Sequence, residues 1–324
     1  MKLKKPAGLL LFWVYILAMG SLFASQVQNE TINLAFVGDV MLARNVGKKI
    51  MSFGTSYPFA KTKDILAAAD IAFANLEGVL SGTKVTGSSR AFIFCSPPYF
   101  GESLKNGGID IVSLANNHST DGGTKGLLEM LKTLSRLGIK YVGAGKNSLE
   151  ARSLRIIETK GRKIGFLAYT DLSNIGLAAA TATSRRAGVA SARSTNLFSE
   201  IESAKKAVDF LIVSFHWGTE YQLGEPGARQ KKLAYQCIAK GADVIIGHHP
   251  HVLQKIEIYH GKTIAYSLGN FVFDNHRPSR AKTMILQLQW NPAFNKQSIS
   301  VIPCYIRSCR PLPLTISPSK NNQN

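Results

Sequence analysis

Short, almost wholly apolar runs recur along this chain, and between several of them the apolar positions fall three and four apart. "INLAFVGD" (32–39), "IAFANLE" (71–77), "IDIVSLANNH" (109–118), "IKYVGAG" (139–145), "KIGFLAYT" (163–170), "DFLIVSFHWG" (209–218) and "ADVIIGHHPH" (242–251) are rich in Val, Ile, Leu and Phe and read as buried strands. "GGTKGLLEMLKTLSRLG" (122–138) lines up Leu127, Leu128, Leu131, Leu134 and Leu137 on one helical face and stops at a glycine; "GARQKKLAYQCIAKG" (227–241) ends the same way. Strands alternating with helices predict a layered α/β fold with a mainly parallel sheet.

Later segments follow another rhythm. "SLRIIETKGRKIGFLAYT" and "VLQKIEIYHGKTIAYSLGNF" each wrap two strand-like runs around a Lys-Gly or Gly-Lys turn and predict β-hairpins, which with "TMILQLQW" and "SISVIPCYI" would build a second sheet. Residues 176–195, small and basic without periodicity, read as a surface loop or insertion, and the Pro-, Ser- and Asn-rich stretch from Pro311 onward as a disordered tail. One large domain over residues 27–310 accommodates the rest.

The first 26 residues change the picture. "MKLKK" is followed by an uncharged apolar run from Ala7 to Ala24, the pattern of an export signal. The run is also long enough to serve as an uncleaved N-terminal membrane anchor, and a buried N-terminal core helix is the plainer alternative. Formal net charge is +19, of which Lys2, Lys4 and Lys5 account for three, so the domain itself is basic and suited to polyanionic partners in the cell envelope. Export and the lack of a recognition-helix, zinc-finger or RNA-binding signature argue against nucleic acid. The four cysteines show no zinc spacing; Cys304 and Cys309 could bridge in an oxidising compartment, and Cys95 and Cys237 read equally well as buried free thiols. "HGKT" (260–263) fails as a phosphate-binding loop because Ile256 stands where the first glycine belongs, and "GAGKNS" lacks the third glycine of a dinucleotide fingerprint.

Candidate chemistry collects at the ends of the apolar runs. One ends at Asp39, one at Glu77, one at Asn116, Asn117 and His118, one at His216, and one at His248, His249 and His251, which are three of the seven histidines within four positions. The carboxyl ends of parallel strands face a common crevice, so residues far apart in sequence can converge there. Singly, Asp39 and Glu77 read as turn or cap residues, the asparagines as loop residues and His216 as a packed histidine. As a set, carboxylate, amide oxygen and imidazole suit one or two divalent ions (Mn, Fe or Zn), a pair standing about 3.5 to 4 Å apart around a shared hydroxide, with His118 free as general acid.

In this set and order, "FVGDVMLAR", "FANLEGVL", "SLANNHSTDGG", "SFHWGTEY", "IIGHHPHVLQ" and "YSLGNFVFD" resemble the motifs of the poly-γ-glutamate capsule synthesis (CapA-like) family, related to the calcineurin-like metallophosphoesterases, across residues 31–275. The resemblance implies a four-layer α/β/β/α sandwich of the metallophosphoesterase kind. It implies Asp39 on one metal, Glu77 as a bridging or second-metal carboxylate, Asn117 on the second metal, His118 as the catalytic imidazole, and His216, His248 and His251 completing the shells. His249 with His251 is the alternative ligand pair. Asn116, His249, Arg44, Tyr266, Asn270 and Asp274 are candidates for the substrate cleft. Two departures from the phosphoesterase pattern stand out: Asp39-Val40-Met41 replaces Asp-x-His, and "NLE" replaces Gly-Asp-x-x-Asp. The expectation is an exported metal-dependent hydrolase-like protein that handles an anionic polymer such as poly-γ-glutamate, alongside the membrane and other capsule proteins. A non-catalytic polymer-binding or export component, and a general exported phosphoesterase, are the alternatives.

Overall fold

A computed structural model describes residues 30–83, 93–172, 180–274 and 277–314. The apolar leader, the first residues of the small basic stretch and the tail from residue 315 lie outside the described residues. Among the described residues no helix is long and apolar enough to cross a membrane.

Four parallel strands begin the first sheet: β1 (Ile32–Val40), β2 (Ile71–Leu76), β3 (Ile111–Ser113) and β4 (Lys140–Val142), adjacent in that order. Helices α1 (Arg44–Phe53) and α2 (Gly123–Leu137) lie between them in sequence. The second sheet takes β5 (Arg155–Thr159), β6 (Arg162–Thr170), β7 (Phe210–His216), β8 (Val244–His248), β9 (Ile256–Tyr259) and β10 (Lys262–Ala265), in the order β9-β10-β8-β7-β6-β5. Both expected hairpins form, as the antiparallel pairs β5/β6 and β9/β10. Helices α3 (Leu197–Ala207) and α4 (Ala228–Ala239) belong to this half.

The chain then returns to the first sheet. On the edge of β1 opposite β2, β11 (Asn270–Val272) lies parallel to its C-terminal end and β12 (Lys282–Asn291) antiparallel to its N-terminal half, with β13 (Lys296–Arg307) and β14 (Arg310–Pro313) extending the sheet antiparallel beyond β12. This corrects two expectations. "TMILQLQW" and "SISVIPCYI" do not join the hairpins in the second sheet, because β11 has already carried the chain across and the free edge of β1 pairs Ile32 with Trp290 through Phe36 with Leu286. Pro311 does not start a loose tail either: Arg310–Pro313 forms the edge strand, a position where proline's missing N–H is tolerated. Part of the small basic stretch is also structured, with Gly188–Val189 pairing with Ala144–Gly145 and Ala187, Val189, Ala190 and Ala192 buried. Cys304 and Cys309 are free and buried rather than bridged; Cys237 is buried and free, Cys95 only half-buried.

Alternation along the strands explains the layering, because successive side chains point to opposite faces. Ile32, Leu34 and Phe36 of β1, Ile71 and Phe73 of β2, Phe210 and Ile212 of β7, and Val244 and Ile246 of β8 meet in one core between the sheets. Phe73 stacks on Phe166 there, ring centroids 5.9 Å apart. Intervening residues face outward: Ala35 and Val37 pack with Val46, Leu127 and Leu134 of α1 and α2, while Leu211, Val213 and Phe215 pack with Ile201, Leu233 and Cys237 of α3 and α4. The result is the four-layer α/β/β/α sandwich.

Two glycines sit where the sheets are stitched together. Residues 266–269 cross from β10 to β11 past the ends of β1 and β8; Asp39 N donates to Gly269 O at 2.9 Å and Leu268 N to Gly247 O at 3.4 Å. A Cβ on Gly38 would overlap the carbonyl oxygen of Gly269, and one on Gly247 the carbonyl oxygen of Tyr266. Backbone cannot swing aside as a side chain can, so Gly247→Ala is expected to cost about 3 kcal/mol or more. A guanidinium denaturation midpoint unchanged from wild type would refute this.

Candidate metal centre

The expected ligands continue the inter-sheet face beyond its last apolar layer. On β2 the inward series Ile71, Phe73 runs on to Asn75 and then Glu77; on β7 it runs through Ser214 to His216; on β8 it reaches His248. In β1 the pairing with β2 shifts between Phe36 and Asp39, and this irregularity puts Asp39 in register with Asn75. Asn270 of β11 pairs with Asp39 from the other side, and His216 pairs with His248 in the facing sheet.

Asp39 is the hub. Its Oδ1 accepts from Asn75 Nδ2 at 2.8 Å and lies 3.4 Å from His248 Nδ1, and its Oδ2 lies 3.4 Å from both His251 Nδ1 and the backbone N–H of His249. Glu77 lies 3.6 Å from His251 Nε2 and 3.9 Å from His118 Nε2. His216 Nε2 meets Asn117 Oδ1 at 2.8 Å, and Asn75 Nδ2 stands 3.4 Å from His216 Nδ1, bridging the sheets. The structure thus brings Asp39, Glu77, Asn117, His118, His216, His248, His249 and His251 into one hollow. His249 and His251 hold positive φ angles of 96° and 57°, a conformation costly for residues other than glycine and concentrated at functional sites.

Both Glu77 oxygens, both His248 ring nitrogens and His249 Nδ1 are buried without a hydrogen-bond partner among the described residues. Such groups normally find one, and metal coordination is one way for buried carboxylate and imidazole atoms to obtain it. Burial pushes the Glu77 carboxyl up to about 8, Asp39's charge adding to the effect and His251 opposing it. Burial also acts upward on Asp39, but the His248 and His251 imidazoles, each 3.4 Å from its carboxylate, hold it well below the usual carboxylate range. Burial works against a charged His251, yet Glu77 and Asp39 lift it to about 9. Burial, reinforced by His251, takes His249 down to about 3, and burial holds His216 well below its ordinary value. Asp39, Glu77 and His251 offer ligand atoms within 4.8 Å of one another, and nitrogen with carboxylate and amide oxygen suits Mn, Fe or Zn.

His118 stands at the rim, 14% exposed, with Nδ1 2.7 Å from Asp121 Oδ2 and its ring 4.1 Å from that of Phe94. A cleft of about 310 Å³ opens there, lined among others by Arg44, His118, Glu220, His251, Asp274 and Arg280. Arg44, with φ 52°, pairs with Asp274 at 3.1 Å. Three proposed cleft residues are placed elsewhere. Tyr266 is fully buried, its hydroxyl donating to Glu257 at 3.0 Å, because its parity on the crossing segment aims it at the α3/α4 side. Asn116 is fully buried, with Nδ2 donating to Asn75 and Leu76 O and Oδ1 accepting from His118 N and Ser119. Asn270 holds His251, Oδ1 to Nδ1 at 2.9 Å.

Sequence reasoning missed Asn75, Asp121 and Glu220. Asn75 was visible as the one polar residue inside an apolar run, two before Glu77; Asp121 was visible only as the third residue after His118; Glu220 carried no local signal.

Comparison with known proteins places this geometry. The family described as bacterial capsule synthesis protein PGA_cap matches over residues 33–275, a span that includes every candidate ligand at the strand ends. The chain belongs to that family. Among its relatives, a capsule biosynthesis protein CapA of Bacillus anthracis is 34% identical over 302 residues, 91% of this chain and 72% of that one. A PGA biosynthesis protein CapA of Bacillus subtilis is 34% identical over 248 residues, 76% of this chain and 64% of that one. This PGA_cap chain thus spans about two thirds of the latter's length. A hypothetical protein from Thermus thermophilus shares the fold, with a TM-score of 0.52 at 15% identity, covering 85% of this chain and all of that one.

Proposed function

We propose that this PGA_cap protein is an exported, metal-dependent hydrolase of the cell envelope that acts on an anionic capsule polymer such as poly-γ-glutamate. One observation carries the reading: a buried set of carboxylate and imidazole groups without hydrogen-bond partners among the described residues lies beneath a cleft at whose rim a histidine is held by an acid, Glu77 Oε1 being 3.9 Å from His118 Nε2. Asp39, Glu77, Asn117, His216, His248 and His251 would hold one or two divalent ions. When bound, such ions supply Lewis acidity and a hydroxide at neutral pH.

The chain's own groups account for the rest. Asp121 accepts from His118 Nδ1 and so fixes the ring's orientation, leaving Nε2 facing the cleft to pass a proton to the departing amine or alkoxide. Arg280, stacked 3.3 Å over the Tyr221 ring, and Arg44, tied to Asp274, present guanidinium groups at the cleft that suit a polycarboxylate. The basic composition of the chain raises the local concentration of such a polymer.

A second reading, a polymer-binding component without turnover, is favoured by Met41. It stands where the phosphoesterase pattern has a ligand, yet it is fully buried, and its sulfur accepts from the N–H of Ala43 at 3.1 Å. The deciding experiment measures bound metal in the purified protein, then turnover of poly-γ-glutamate and of a panel of phosphate esters. Metal-dependent polymer cleavage supports the hydrolase; cleavage of phosphate esters alone points to a general phosphoesterase. Salt-sensitive polymer binding that survives chelation, without turnover, defeats both.

A further inference from the structure

Glu220 lies four residues past His216, exposed in the wall of the cleft. Its loop is not loose. Trp217 N donates to His248 O at 3.0 Å and Tyr221 N to Pro250 O at 2.8 Å, lacing the segment to the histidine turn on both sides of Glu220. Gly218, at φ 85°, makes the bend. This brings ligand atoms of Glu220, His249 and His251 within 4.8 Å of one another, a second group that shares His251 with Asp39 and Glu77.

One imidazole nitrogen serves one ion, and His251 has only one to spare. Asn270 Nδ2 donates to the carbonyls of His251 and Arg280, each at 3.2 Å, so its Oδ1 must be the atom that accepts from His251 Nδ1. Only Nε2, 3.6 Å from Glu77, is left to face a cation. The two groups therefore describe two sides of a single site. His249, a member of the Glu220 group, is 6% exposed with Nδ1 lacking a hydrogen-bond partner among the described residues, its ring 5.8 Å from that of His251.

We propose that Glu220 is a solvent-side ligand of the ion that Asp39, Glu77 and His251 hold from within, and that an anionic group of the substrate takes its place. This rests on the metal-dependent reading above. Glu220 supplies from the cleft side a ligand that the first strand does not, Met41 being turned into the core. An exposed carboxylate also leaves a metal at little cost, since water solvates it as it departs.

The test strips the full chain of metal and titrates Mn²⁺ into wild type, Glu220→Gln and Glu220→Asp, with calorimetry for affinity and water-proton relaxation for solvent access to the bound ion. Glu220→Gln is expected to bind Mn²⁺ about tenfold to a hundredfold more weakly and to relax water faster per bound ion, with Glu220→Asp intermediate. Metal-free melting temperatures should match, since the side chain is exposed. Equal affinity and equal water access in wild type and Glu220→Gln overturn the Glu220 assignment and leave the metal reading standing. Failure of the wild-type chain to take up Mn²⁺ overturns both.

Discussion

Mn²⁺ or Zn²⁺ is expected to raise the melting temperature of the wild-type protein, and Asp39→Ala to abolish that gain, as chelation of the wild type should also do. An ion present at a hundredfold its dissociation constant stabilises the folded state by about 2.7 kcal/mol, which is several degrees of melting temperature for a domain of this size. Asp39 carries the effect because its carboxylate faces His248, His251 and Asn75 at once. The variant should also be less stable than wild type without metal, by about 3 kcal/mol or more, since His251 loses a buried counter-charge. If Asp39→Ala kept its full metal-induced shift in differential scanning calorimetry, the strand-end cluster would not be the binding site.

Proton competition gives that measurement a pH signature. Without metal, burial raises Glu77 and the neighbouring carboxylates raise His251, so the pair together holds protons at pH 7 that a cation must displace. Affinity should therefore rise between pH 6 and pH 8, by up to about tenfold per pH unit for each proton released, and level off above 9. A flat profile in calorimetry over that window would contradict the protonation states described for the hollow.

His118→Ala should lower turnover by about 10² to 10⁴ while leaving metal content and polymer affinity near wild type, because the ring sits at the rim and acts on the leaving group. Asp121→Asn should lose less in kcat and displace the pH profile, since Asp121 acts only through the ring it orients. Wild-type turnover in His118→Ala would remove the proton donor from the mechanism. Loss of metal in the same variant would instead place His118 among the ligands, a reading its 3.9 Å distance to Glu77 makes available.

The local pattern of this sequence determined the strands, their hairpins, two of the outer helices and the residue types at strand ends, because burial on both faces leaves an apolar run and a site leaves polar atoms at its end. Those features depend on near neighbours in the chain. Tertiary structure alone decided which polar residues meet. Asn116 and Asn117 are adjacent, yet one is spent on Asn75 and Leu76 and the other faces His216, because the turn after β3 points them apart. Tyr266 on the crossing segment and Asn270 at the start of β11 are four residues apart, yet one turns to the helix side of the second sheet and the other holds His251. Where β12 and β13 pair was equally out of reach, since edge pairing depends on which strand edge is left open, and that is a property of the assembled sheet. The site exists because the inner faces of two sheets stack so that their polar ends coincide, and no stretch of chain short enough to read by periodicity contains both.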